Sequence, residues 1–112
     1  MIEFDIQTAA IANQDEILYA AIATHFGVTK EQIISASRKK EIVFARYIFV
    51  LICFTYFCYP HWKIAEMIYR NRSTMNHSLR TATYLIAQDD LYKSNYNKVI
   101  QEMRNHEKNN IK

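Results

Sequence analysis

A chain of 112 residues is one domain's worth, and folding at that size removes roughly two-thirds of the surface the unfolded chain exposes, enough for a core without staples. Half of the residues are apolar and 22% are charged, which excludes a disordered chain. One glycine and one proline exclude a turn-rich sheet protein and favour helices joined by short polar links.

The net charge of +3 conceals a gradient. Residues 1–37 carry five carboxylates (Glu3, Asp5, Asp15, Glu16, Glu31) against Lys30 alone. Residues 38–80 carry Arg38, Lys39, Lys40, Arg46, Lys63, Arg70, Arg72 and Arg80 against Glu41 and Glu66 only. A clustered basic block is the electrostatic footprint of phosphate binding.

Residues 1–12 are mildly apolar without a strong period, and read as an N-terminal arm or an extension of the first helix. They supply neither the basic start nor the apolar run of a secretory signal, which points to the cytoplasm. Asn13 is placed to cap a helix over 14–26, with Glu16 completing a capping box and Gly27 as its left-handed end. Thr29 caps a short helix through Ser35, with Gln32 as its partner. The segment 36–40 is polar and basic and reads as a loop.

From Glu41 to Cys58 the chain is apolar nearly all round, the mark of a long central helix surrounded by others. Its charge-free part, Tyr47 to Tyr59, has 13 residues, short of the ~20 that cross a bilayer. Arg46 is the one charge inside it, early enough to reach solvent or a nucleic acid that touches the basic loop. Cys53 and Cys58 are five apart, point in different directions on a helix, and read as reduced core thiols. Tyr59 and Pro60 end the run.

His61 to Tyr69 then forms a short helix with Ile64, Ala65 and Ile68 as its apolar stripe, and Ser73 to Gln88 a second, with Met75 and Leu79 inward. Arg70, Asn71 and Arg72 make the turn between them. Two helices joined by a tight turn, the second opening with small polar and basic residues, form a helix-turn-helix suited to a major groove. In such a groove arginine pairs with guanine, asparagine with adenine, and hydroxyls with either or with phosphate. Arg72, Ser73, Thr74, Asn76 and His77 fall where base edges are in reach; Arg80, one turn on, meets the backbone. The Ser73 and Thr74 hydroxyls also cap the helix. Trp62 and Met75 read as core, with contact to the sugar-phosphate backbone as a second reading for Trp62. Asp89 and Asp90 break the pattern, Ser94 caps a last helix, and residues 108–112 form a frayed tail.

These features yield an all-α fold: a compact six-helix domain with a helix-turn-helix and a long buried central helix, spanning residues 13–107. From Ile17 to about Met103 the chain resembles the C-terminal DNA-binding domain (domain IV) of the bacterial replication initiator DnaA, a Trp-repressor-like helix-turn-helix. The family begins with a helix, a Gly-Val type turn and a short helix, matched by Ile17 to Phe26, Gly27-Val28 and Lys30 to Ile34. Its basic loop runs into a long helix through Val-Ala-Arg; here Ser37-Arg38-Lys39-Lys40 precedes Val43-Phe44-Ala45-Arg46. Its signature Gly-Arg-Asp-His-Thr-Thr-Val, then Leu-His-Ala, corresponds to Tyr69-Arg70-Asn71-Arg72-Ser73-Thr74-Met75, then Asn76-His77-Ser78, with one turn residue fewer. The resemblance implies that Asn71, Arg72, Ser73 and Thr74 read a major groove and that Arg46 enters the minor groove.

The expected function is sequence-specific double-stranded DNA binding by a stand-alone module that regulates replication or transcription. The DNA-binding residues are then Arg38, Lys39, Lys40, Arg46, Arg70, Asn71, Arg72, Ser73, Thr74, Asn76, His77 and Arg80. The alternative is a protein-interaction module that kept the fold and lost its DNA contacts. A replication or transcription protein is a further candidate partner, and a membrane is not. His25, His61 and the carboxylates form no catalytic triad or metal spacing, so neither an enzyme nor a cofactor or metal site is expected. A single glycine builds no phosphate-cradling loop, so the initiator's ATPase module is not expected in these residues.

Overall fold

The computed structural model describes the backbone of residues 2–111 and the side chains of residues 14–106. Six helices follow in order: α1 (Ile2–Phe26), α2 (Lys30–Ile34), α3 (Lys40–Thr55), α4 (His61–Met67), α5 (Arg72–Gln88) and α6 (Asp90–Ile111). Among the described residues there is no strand, and no helix is long and apolar enough to cross a membrane.

The helix that holds residues 14–26 begins at Ile2, so position 13 lies inside α1 and Asn13 is not its cap. Gly27 ends α1 with φ +70, its amide donating to the Ala23 carbonyl at 2.9 Å. A residue with a Cβ would be strained there. Thr29 then caps α2: its hydroxyl accepts the Gln32 amide at 3.2 Å while the Gln32 side chain accepts the Thr29 amide at 2.9 Å.

Helix α3 is the centre of the molecule. Ala45, Ile48, Phe49, Val50, Ile52 and Cys53 are wholly buried, and α1, α2, α4 and α5 all pack on it. Tyr19 of α1 stacks on Phe49 with ring centroids 5.0 Å apart. The helix stops at Thr55, three residues before Cys58. Cys58 takes φ +58, and the Tyr59 amide donates back to the Cys53 carbonyl at 2.9 Å. This reversal carries Tyr59 to α1, where its hydroxyl donates to Asp15 Oδ1 at 2.5 Å and accepts from Gln14 Nε2 at 2.6 Å. It also leaves Cys58 exposed while Cys53 is buried, so only one of the two thiols belongs to the core.

Asp89 joins the last two helices. Its amide donates to Leu85 at the end of α5 (2.8 Å), and its carboxylate accepts the Leu91 and Tyr92 amides at 2.9 and 3.2 Å. A carboxylate at a helix start satisfies orphan donors and suits the dipole. Helix α6 thus begins at Asp90, and Ser94 is an interior residue rather than its cap. His25 Nε2 and Asn95 Oδ1, 2.7 Å apart, tie the end of α1 to α6. Tyr92 is fully buried against Phe44, with centroids 4.6 Å apart.

Candidate nucleic-acid interface

Helices α4 and α5 and the turn between them form the helix-turn-helix. Ile64, Ala65 and Ile68 are buried, as their spacing requires. The turn closes by a Schellman motif: the Arg70 amide donates to Ala65 (3.0 Å) and the Tyr69 amide to Glu66 (3.2 Å), with Tyr69 at φ +53. A glycine ordinarily holds that position. Here a tyrosine does, and its ring stands 74% exposed. Trp62, on the first turn of α4, is 53% exposed rather than part of the core.

Helix α5 starts one residue earlier than its hydroxyl pair suggests. Asn71 is the N-cap, its side-chain oxygen accepting the Thr74 amide at 2.8 Å. Ser73 and Thr74 are therefore not the caps; they lie on the first turn with their side chains exposed. The amides of Arg72 and Ser73 are among the first four of the helix, for which an α-helix has no internal acceptor to offer, so this end carries partial positive charge.

Along α5, Met75, Ser78, Leu79 and Ala82 are buried. The opposite side presents Ser73, His77, Arg80 and Tyr84, spaced by three or four residues and all exposed. Arg72 and Thr74 flank this stripe and are exposed as well. Tyr84, at 66% exposure, extends it by a turn and was not marked by any motif. Only the 3.6-residue period from Ser73 onward points to it. Asn76 departs from the outward position expected of it: it is half-buried, its side-chain oxygen enclosed without a hydrogen-bond partner among the described residues.

The basic loop between α2 and α3 is stitched by serines. The Ser35 hydroxyl donates to Gln32 (2.6 Å) and accepts the Ser37 amide (3.2 Å), and the Ser37 hydroxyl accepts the Lys39 amide (3.2 Å). Arg38, Lys39 and Lys40 remain exposed.

Two arginines are placed otherwise than expected. Arg46, 8% exposed, does not reach outward toward a groove. Its Nε donates to Ile33 at 2.7 Å, and its Nη2 to Ser35 at 2.9 Å, Ser37 at 3.3 Å and Gln32 at 3.4 Å. The physical reason lies in α2. A five-residue helix ends on carbonyls with no internal partner, and a guanidinium fork satisfies several of them at once. Burial, and then the neighbouring Arg70 charge, push the Arg46 pKa down from its usual range. Arg70 is half-buried, its Nη2 donating to Ser35 at 2.6 Å and its Nη1 to Ile68 at 3.1 Å and Tyr69 at 3.4 Å. Both side chains are bound to protein carbonyls.

Among the described residues, no three of His, Cys, Asp and Glu gather in a metal-holding group.

The geometry is thus a helix-turn-helix with an exposed polar and basic stripe and a cationic loop tied to its turn. The family described as bacterial dnaA protein helix-turn-helix matches residues 15–82. This chain belongs to that family. The matched stretch holds the end of α1, the basic loop, α4, the turn and α5 as far as Ala82, so the end of α5 and all of α6 lie beyond it, although the resemblance read from the sequence continues to Met103. Within the DnaA family, the chain is similar to the chromosomal replication initiator protein DnaA of Pseudothermotoga lettingae, with 36% identity over 66 residues. That alignment takes in 59% of this chain and 15% of the relative, so the chain spans only a small part of the initiator's length. No solved structure matches the chain.

Proposed function

We propose that this chain binds double-stranded DNA sequence-specifically, acting in the regulation of replication or transcription. The observation that carries the reading is the exposed stripe of Ser73, His77 and Arg80 on α5, opened by Asn71 and Arg72 and set beside a cationic loop on a DnaA-family helix-turn-helix. In this reading α5 enters the major groove. Arg72 and Asn71 meet base edges, Ser73, Thr74 and His77 meet bases or phosphate, and Arg80 meets the backbone. Arg38 and Lys39 of the loop and Lys40 at the start of α3 supply cations for phosphate or the adjoining minor groove. Arg46 and Arg70 hold the surface rather than touch the duplex.

A second reading, a protein-interaction surface, draws on the exposed rings of Trp62, Tyr69 and Tyr84, because aromatic residues are enriched at interfaces. Selection from random duplex oligonucleotides separates the two. Enrichment of one sequence by the wild type, weakened by Arg72→Ala, supports DNA reading. No enrichment at micromolar protein and low salt removes it in favour of a protein partner.

A further inference from the structure

The Ser35 carbonyl accepts two guanidinium bonds, from Arg46 at 2.9 Å and from Arg70 at 2.6 Å. A carbonyl oxygen has two lone pairs, so both bonds can form together. Through Arg46 that carbonyl is tied to α3, and through Arg70 to the Ile68 and Tyr69 carbonyls in the turn of the helix-turn-helix. Ser35 is three residues from Arg38, and Arg70 is two residues from Arg72. The junction therefore sits between the two groups of cations that the proposed DNA reading needs. Arg46 is a core residue. Arg70 is half-buried, and it links the basic loop to the helix-turn-helix turn across 35 residues of sequence.

We infer that Arg70 is a positioning residue, holding Arg38 and Lys39 of the loop and Lys40 at the start of α3 in fixed register with the N-terminus of α5, so that these cations and α5 meet the duplex as one rigid unit. The inference rests on the DNA-binding reading. Its physical content is preorganisation: cations already held at the spacing of their phosphates lose little freedom on binding, whereas cations on a loosened loop must be ordered by the DNA. Arg70 contributes to affinity through this register rather than by contact, with three of its five N–H donors engaged by the Ser35, Ile68 and Tyr69 carbonyls.

The test is a mutant cycle on the full chain. Wild type, Arg70→Ala, Arg70→Lys, the triple variant Arg38→Ala/Lys39→Ala/Lys40→Ala, and the triple combined with Arg70→Ala are titrated against duplex over a salt series. Thermal melts by circular dichroism verify that each is folded. Arg70→Ala is expected to weaken binding about tenfold and to flatten the dependence of log K on log salt by about one, the size of a lost phosphate contact. Arg70→Lys, which keeps the charge and one donor nitrogen in place of the fork, recovers part of the loss and serves as the second variant should the alanine variant not fold. In the triple background Arg70→Ala costs nothing further, since the cations it positions are gone. A loss as large in the triple background as in wild type overturns the inference and makes Arg70 a direct contact; an unchanged affinity overturns it as well. If wild type binds no duplex at all, the DNA reading fails by itself, and amide exchange still judges the clamp. Faster exchange confined to residues 36–39 in Arg70→Ala or Arg70→Lys supports it, and unaltered exchange there ends it.

Discussion

The side-chain oxygen of Asn71 accepts the backbone amide of Thr74 at 2.8 Å, and that bond fixes where α5 begins. It frees the Ser73 and Thr74 hydroxyls to face outward and puts Arg72 at the first helical position. Asn71 thus carries a structural duty and, in the proposed function, a contact duty. Asn71→Ala is expected to lower unfolding free energy by about 1 kcal/mol, the usual worth of an N-cap. Asn71→Asp keeps the cap and favours the helix dipole, yet adds a negative charge facing phosphate. Urea melts of Asn71→Asp should match wild type while its duplex affinity falls. Equal losses in both assays would refute the division.

Arg46 is expected to matter for stability and not for direct contact. Removing its guanidinium takes the Arg46 donor from the Ile33 carbonyl, where water has poor access, while the Ser35 carbonyl keeps its bond from Arg70. Arg46→Ala should cost at least about 1–3 kcal/mol, the penalty for orphaning buried polar groups. Denaturant unfolding measures it. An Arg46→Ala protein as stable as wild type but unable to bind DNA would return this residue to the groove.

The two cysteines should differ in reactivity. Cys53 is wholly buried and its thiol is pushed up by burial, while Cys58 is exposed on the left-handed corner after α3. Thiolate is the reactive form. A thiol reagent on the folded protein should modify Cys58 alone, as judged by peptide mass, and both residues only after denaturation. Modification of both at equal rates in the folded state would contradict the packing of α3.

Four groups make the fold sensitive to alkali. The hydroxyls of Tyr19, Tyr59 and Tyr92 are all pushed up, by burial first, and in Tyr59 next by its hydrogen bond to Asp15. The Cys53 thiol is pushed up the same way. Each keeps its proton more tightly folded than unfolded. Stability is then fully present below the unfolded values, about 8.5 for cysteine and about 10 for tyrosine, and declines as pH rises past them toward the folded values. Urea midpoints should be level at neutral pH and decline from about pH 9 upward, with Tyr59→Phe reducing the slope above about pH 10. A midpoint unchanged through that range would show that these rings are wet.

Much of the scaffold was legible because its signals are local. The Thr29–Gln32 box, Gly27, and the Ile64, Ala65, Ile68 stripe are written in residues a few positions apart, and each stands where its spacing requires. The misreadings share a physical cause. Tyr69 and Cys58 hold left-handed positions that glycine usually marks, so the sequence reads as helix to Tyr69 and to Cys58, past the ends of α4 at Met67 and α3 at Thr55. Asp89 serves two helices at once, which masked the start of α6. Arg46 reads as a reaching cation because its partners are backbone carbonyls, which every sequence has and none displays. Of the candidate site, the exposed stripe on α5 followed from periodicity; the turning inward of Arg46 and Arg70 depends on contacts 9 to 35 residues away.

The most direct measurement is equilibrium affinity for a duplex as a function of salt. Arg38, Lys39, Lys40, Arg72 and Arg80 are the exposed cations of the surface. If they neutralise phosphates, log K should decline with log salt at a slope of about −4.5, near −0.9 for each contact, and Arg72→Ala should cost ~1–3 kcal/mol on a selected site while relaxing preference there. Affinity indifferent to salt, or an Arg72→Ala variant that binds the selected site as wild type does, would contradict the account.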